Sequence, residues 1–261
     1  MLVYPQLATG TLSQFPVLKR RSLRTIVNTA ADGTAVKLAD PGAETVEWQL
    51  NYVGLSDVEL AALLQFYSAA EGTLNSFTFL DPTANLLAWS NDLSNAVWNN
   101  GPLLTNTAGN ADPAGGNNAW HAVNAGAGAQ DLTQTLSTAP GGYVYCFSVY
   151  AKSAAPTTVT LLLGSNRYAQ LLGPDWRRIA CTGTGGATAS SMTFGIELGA
   201  GAAVDLYGWQ AEPQASPSLY KASTSGGCYE EARLRDDMLS FTTTDVNRHS
   251  ATVNIIHASH L

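Results

Sequence analysis

The stretch Thr45–Pro82, TVEWQLNYVGLSDVELAALLQFYSAAEGTLNSFTFLDP, reads as strand, capped helix, strand. Val46, Trp48, Leu50 and Tyr52 alternate with Thr45, Glu47, Gln49 and Asn51, the period of two that a strand shows when one face is buried. After Gly54, Ser56 and Glu59 stand at capping-box spacing, the hydroxyl accepting an N–H of the first helical turn while the carboxylate reaches back. Leu60, Leu63, Leu64 and Tyr67 recur at i, i+3, i+4 and i+7, which predicts an apolar stripe along a helix of about four turns. Gly72 is the expected residue past the helix end, since glycine takes positive φ without strain. Phe77 and Phe79 alternate again until Asp81-Pro82 stops the strand. The unit holds no catalytic constellation.

Ahead of it, Ser22–Ala30 reads as a strand, Ala31-Asp32-Gly33-Thr34 as a turn and Ala35–Leu38 as the returning strand. Asp40-Pro41-Gly42 is expected to be a second turn. Four strands and one helix are too few to close a β domain alone. From Asn85 the texture shifts to Asn, Gly, Ala and Thr with short β-runs at Gln130–Leu136, Tyr143–Lys152, Thr157–Gly164, Trp176–Thr182, Met192–Leu198 and Val204–Gln210. Regular spacing with Gly, Pro and Asn turns points to a β-sandwich. After Pro217 two further strands are expected, Tyr229–Phe241 and Ser250–His257. The predicted fold is therefore mainly β: a split β-barrel or sandwich domain with one helix, residues 1–86 and 218–261, carrying an inserted β-sandwich of jelly-roll type over 87–217.

Composition narrows the function. Charged residues are 13% of the 261, well under the usual quarter, so the surface is covered by neutral polar side chains. A net charge of −7 opposes nucleic-acid binding, and the one basic cluster, Lys19-Arg20-Arg21 with Arg24, is assigned to a solvated or interface-facing strand edge. Met1-Leu-Val-Tyr-Pro has neither a charged start nor an apolar run, so synthesis in a cytoplasm is expected, and no segment is apolar enough for a membrane span. Cys146 and Cys181 fall in strand-like runs as small buried hydrophobes, while Cys228 follows a Gly-Gly pair.

Chemistry-bearing groups are scattered. His249, His257 and His260 gather near the C-terminus without a cysteine or paired carboxylate, so a metal site is not expected. Asp175, Glu197, Asp205 and Glu212 lie in the sandwich segment, but no spacing nominates two of them as a glycosidase pair. There is no G-x-S-x-G elbow, and the glycine runs lack the strand and helix of a phosphate loop. The reading is of a non-enzyme without cofactors. Tryptophans are concentrated in the sandwich segment: Trp176 and Trp209 sit in strand runs and are assigned to the core. Trp98 and Trp120, in loop-like contexts, are the only candidates for stacking on sugar rings, and packing at a domain boundary is the favoured reading for both.

The pattern W-x-L-x-Y-x-x-L-S-x-x-E, an apolar helix, then G-x-x-x-x-F-x-F-x-D-P resembles the phage distal tail and minor tail protein families, including the minor tail protein M family. It is met at Trp48, Leu50, Tyr52, Leu55, Ser56, Glu59, Gly72, Phe77, Phe79, Asp81 and Pro82. NLLAWSNDLSNAVW from Asn85 and the run GWQAEPQASPSLYKAST to Thr224 look like carbohydrate-binding-like jelly-roll modules of phage tail proteins, an insert that tail-ring proteins usually lack. The resemblance implies a structural protein of the virion tail, assembled in the host cytoplasm. It would form a ring, commonly a hexamer, between tail tube and hub or baseplate, with DNA only as passing cargo. The insert raises the alternative of a host-surface glycan-binding protein.

Overall fold

A computed structural model describes residues 2–258. Its contacts divide the chain into two units: one holds the start up to Ala8, Ser13–Phe79 and the chain from Tyr229 onward, the other Thr9–Leu12 and Leu80–Cys228. The boundaries lie nearer 80 and 228 than the expected 87 and 217, because the stretches flanking the sandwich are bonded into it. Leu86 N–H donates to the Ala211 carbonyl at 2.8 Å, and Asp81 N–H to that of Gly227 at 2.8 Å.

The first unit starts with β1 (Leu18–Thr29) and β2 (Ala35–Leu55), a hairpin turning at Ala30–Thr34, followed by α1 (Asp57–Ala70) and β3 (Phe77–Leu80). After ten strands of the second unit the chain returns as β14 (Cys228–Leu234), β15 (Phe241–Asp245) and β16 (Arg248–Ala258). The sheet order is β1-β2-β16-β14-β3, with β15 also paired to β16. Alternation in β2 buries Val46, Trp48, Leu50 and Tyr52 as expected. They meet Phe77 and Phe79 and the helix in an aromatic core: Trp48 lies 5.0 Å from Phe79, Tyr4 5.1 Å from Phe66, and Phe66 4.8 Å from Phe77. The Tyr4 and Tyr52 hydroxyls hydrogen-bond at 2.7 Å inside it, satisfying two polar groups that burial would otherwise strand.

The capping box forms as read, with Glu59 N–H donating to Ser56 Oγ and Ser56 N–H to Glu59 Oε2. Two details differ from expectation. The buried helix face is Leu60, Leu63, Phe66 and Ala70, while Leu64 and Tyr67 are only half-buried. Phe66 turns inward to meet Tyr4 and Phe77, and Tyr67 is thereby set to donate its hydroxyl to the Asp237 carbonyl. Second, Asp40-Pro41-Gly42 is no turn: β2 runs through it, and the register against β1 slips between Ser22 and Arg24, a bulge that lets Arg21 pair with Glu44 and Arg24 with Asp40.

The second unit comprises β4 (Asn99–Asn100), β5 (Leu104–Asn110), β6 (Ala119–Asn124), β7 (Gln130–Leu136), β8 (Tyr145–Lys152), β9 (Thr157–Leu163), β10 (Asn166–Leu172), β11 (Arg177–Gly183), β12 (Met192–Leu198) and β13 (Ala203–Glu212). Two antiparallel five-stranded sheets, β10-β9-β12-β7-β4 and β11-β8-β13-β6-β5, form a jelly-roll sandwich. Tyr145, Phe147, Val149 and Ala151 of β8 and Phe194, Ile196 and Leu198 of β12 are buried in the interior, where Phe194 stands 5.5 Å from Tyr145 and Phe147 5.9 Å from Trp209. The protein is thus mainly β, a split β domain with one helix plus a jelly-roll sandwich.

Candidate functional site

The outer surface of β11-β8-β13-β6-β5 holds a connected set of aromatic and ionisable side chains. In β8 the residues alternating with the core positions are Cys146, Ser148, Tyr150 and Lys152. Register then builds two rows across the strands. Arg178 of β11 faces Tyr150, which faces Tyr207 of β13. Lys152 faces Asp205 of β13, which faces His121 of β6.

In the first row the Arg178 guanidinium lies 5.5 Å from the Tyr150 ring centre, Tyr150 and Tyr207 are 6.0 Å apart, and Tyr220 closes on Tyr207 at 5.4 Å. In the second, Asp205 takes His121 Nδ1 at 2.7 Å and Lys152 Nζ at 3.5 Å, and Lys152 also stands 5.0 Å over the Trp176 ring. Burial, then the nearby Asp112 and Tyr150, push the Tyr207 phenol above its ordinary value. Tyr220 is pushed up to about 12, first by burial. Both stay neutral near pH 7 and can donate as well as accept.

The rows keep their spacing because the segment after β13 folds back as a strap. Gln210 accepts Lys221 N–H at 2.7 Å, Glu212 accepts Ser218 N–H at 2.9 Å, and Arg178 donates to Ser148 Oγ at 2.9 Å and to the Ser218 carbonyl. Between Tyr207 and Gln210 the strand bulges at Gly208, whose φ is +68°. Chemically, such a face offers flat apolar rings beside hydrogen-bonding and charged groups, a combination that suits an amphipathic, hydroxyl-rich ligand.

The structure reverses the core assignment of Trp176, keeps that of Trp209, and buries Trp98, in line with the packing favoured for it over sugar stacking. Trp98 is 4% exposed, packs at 4.9 Å on Trp209 and donates its indole N–H to the Trp89 carbonyl, so its ring is closed to a sugar. Trp120 is not in a loop but on β6, opposite the buried Leu206, with its N–H held by the Asn91 carbonyl at 2.8 Å. Trp176, read as core, lies half-exposed just before β11 under Lys152; Trp209 is core as read. Asp205 is the one of the four carboxylates that joins the rows. Glu197 pairs with Arg167 on the other sheet, Glu212 is buried in the strap, and Asp175 stays in its turn. His249 bonds Asp57 at 2.6 Å and Thr243 at 2.9 Å, His257 packs on Tyr229, and His260 lies outside the described residues. Among the described residues no three His, Cys, Asp or Glu side chains cluster to hold a metal.

No family model matches the chain, and the search of curated proteins returns no match. Solved structures similar to part of it include the enzymatically active domain of tailspike protein 4 of bacteriophage CBA120, at 16% identity and TM-score 0.39 over 51% of this chain and 22% of that one. A xylan-binding domain from Paenibacillus barcinonensis is 15% identical, with TM-score 0.41 over 51% of this chain and 96% of that domain. The carbohydrate-binding module TmCBM61, solved with β-1,4-galactotriose, is 12% identical, with TM-score 0.37 over 49% and 97% of the two chains. The chain thus spans about a fifth of the tailspike domain and nearly all of the two binding modules.

Proposed function

We propose that the chain is a structural component of a phage tail tip, associating with copies of itself into a ring that joins the tail tube to the hub or baseplate around the DNA path. The observation supporting this most strongly is the β1–β2 ribbon. Every residue of β1 is exposed, Leu23 at 70% and Val27 at 54%, and β1 is the terminal strand of its sheet. Burying one such side chain is worth about 1.5–3 kcal/mol, and an open, partly apolar edge strand is a hazard that proteins remove by pairing or covering it. The motif residues from Trp48 to Phe79 carry the resemblance and also build the core from which the ribbon extends. Negative-stain micrographs of the purified protein, and gold labelling of virions, test the reading. Rings and a labelled tail tip support it; a monomer at all concentrations with no label on tails overturns it.

A second reading, binding of host-surface glycans through the sandwich, is favoured by the two rows on β11-β8-β13-β6-β5. The full chain on a glycan array tests it, with Trp176→Ala and Tyr207→Ala as variants. Retention that drops about tenfold in each variant, as expected for lost ring stacking worth ~1 kcal/mol or more, supports it. No retained glycan, or unchanged retention in both variants, rejects it.

A further inference from the structure

We propose that the Trp89 indole is a stacking platform for a pyranose ring, with the Asp92 carboxylate accepting hydroxyls of the same sugar. This names a contact outside the two rows and rests on the glycan reading.

Among the described residues, three that are not glycine have positive φ: Glu71, Trp89 and Asn247. Glu71 caps the end of α1 and Asn247 turns the β15–β16 hairpin, places where the left-handed region is common. Trp89 stands at φ +48° with a bulky side chain, a conformation the chain holds only where its surroundings impose it.

The surroundings do impose it. The Trp89 carbonyl accepts the Trp98 indole N–H at 3.0 Å and the Asp92 N–H at 2.9 Å, while Trp89 N–H donates to the Thr224 carbonyl at 3.3 Å. Two residues on, the Asn91 carbonyl accepts the Trp120 indole N–H at 2.8 Å, and the Asn91 side-chain oxygen accepts the Tyr220 hydroxyl. Between them Ser90 is fully buried, its N–H donating to the Ser223 carbonyl at 2.9 Å and its Oγ accepting Ser223 N–H at 2.9 Å. Three aromatic donors thus grip a turn whose own aromatic side chain stays outside. Trp89 is 40% exposed, the most of the six tryptophans. Strain and exposure both oppose folding, so the turn is built to present the indole.

The presented surface selects its occupant. A single indole is far smaller than the roughly 800 Å² per side of a stable protein contact. The net charge of −7 opposes a nucleic acid. Around the ring the chain is polar: Asn91 and Asp92 are half-buried and Ser94 is exposed. Asp92 Oδ1 accepts Ser94 N–H at 3.0 Å and Ser94 Oγ–H at 2.6 Å, while its Oδ2 holds no partner among the described residues. A flat ring and an open carboxylate oxygen in one closed turn suit a sugar, whose C–H face lies on the indole and whose hydroxyls donate to the carboxylate.

Two variants of the full chain test this on a glycan array of oligosaccharides, beside thermal melting by circular dichroism. Trp89→Phe keeps a ring; Trp89→Asn removes it while fitting the left-handed backbone, which asparagine tolerates. The expected result is retention down about tenfold in Trp89→Asn, as for one lost stacked ring, and within about threefold of wild type in Trp89→Phe. Trp89→Asn should also melt no lower than wild type, because relief of the strain offsets the packing lost. Wild-type retention in Trp89→Asn, with Trp176→Ala and Tyr207→Ala both reduced, overturns this contact and leaves the glycan reading standing. Equal loss in Trp89→Asn and Trp89→Phe also overturns it. Melting lowered by about 5 °C or more in Trp89→Asn assigns the indole to the fold and overturns it too. A wild-type chain that retains no glycan overturns both.

Discussion

The Asn85 side-chain amide donates to the Trp209 carbonyl at 2.7 Å, joining residues 124 positions apart in the sequence. It also donates to the Lys221 carbonyl at 3.1 Å, while its oxygen accepts the N–H groups of Leu87 and Ala211, each at 3.1 Å. One buried carboxamide therefore ties the entry of the sandwich to β13 and to the strap behind the aromatic rows. Asn85→Ala leaves four backbone groups without that partner. An unsatisfied buried group costs about 1–3 kcal/mol, so a loss of about 3 kcal/mol or more is expected in urea unfolding of the full chain. A loss below 1 kcal/mol would mean that water enters and replaces the amide.

Asp112 gives the sandwich an acid-sensitive loop. Its Oδ2 accepts Asn118 N–H and Nδ2, both at 3.0 Å, and its Oδ1 accepts Ala114 N–H at 2.8 Å and Gly116 N–H at 3.0 Å. The Asn118 N–H, opposed by burial and helped by the other donors, holds the carboxyl below its ordinary value. A depressed folded-state pKa stabilises the fold above the unfolded value of about 3.9 and loses that stability as pH falls through the folded one. Asp112→Asn should therefore be less stable than wild type by a constant amount from pH 7 to 5, with the gap narrowing below about pH 4. Denaturant titrations at pH 7, 5 and 3 measure it; a gap unchanged at pH 3 rules the mechanism out.

Local rules read most of this fold and little of the site, for a physical reason. The capping box, the alternation of β2 and six of the sandwich strands depend on neighbours in sequence, and each is where it was expected. The hairpin of β9 and β10, joined by the two-residue turn Gly164-Ser165, does not stand out in the sequence pattern. The strand at Asn166–Leu172 carries too few large apolar residues to stand out. The buried helix face differs from the expected stripe because a helix rich in Leu, Phe and Tyr offers several faces, and the partners Tyr4 and Phe77 choose among them. Outward positions in β8 could be read from alternation. Their alignment with Arg178, Asp205, Tyr207 and His121 depends on strand register, which a single sequence does not encode locally. Trp98 packs, as favoured despite its Asn-rich flanks, but its partner Trp209 stands far along the chain and is not legible locally.

The cysteines should divide by accessibility. Burial, with Cys146 close by, pushes the Cys181 thiol up to about 12, and burial likewise raises Cys146. At pH 8 a thiol near 12 is about one part in ten thousand thiolate, the reactive form. Cys228 is half-buried beside Thr138 Oγ1 at 3.4 Å. Maleimide labelling of the native chain followed by mass spectrometry should modify Cys228 first, with the other two reacting only after denaturation. Equal rates at all three positions would contradict the burial of β8 and β11.

Gly208 links backbone conformation to the aromatic rows. At φ +68° a side chain is strained, and a Cβ there would stand 3.2 Å from Tyr150 Cδ2 and 3.3 Å from Tyr220 Cγ. Gly208→Ala should destabilise the chain by about 1–2 kcal/mol and spread the two rings. Gly33→Ala is the control. It sits at φ +85° in the ribbon turn with nothing within 4 Å, so it should bring similar strain with no displacement. If the rows bind glycan, retention on the array falls at least fivefold in Gly208→Ala and is unchanged in Gly33→Ala. Equal retention in both would show that the spacing of Tyr150, Tyr207 and Tyr220 is irrelevant to any ligand the sandwich holds.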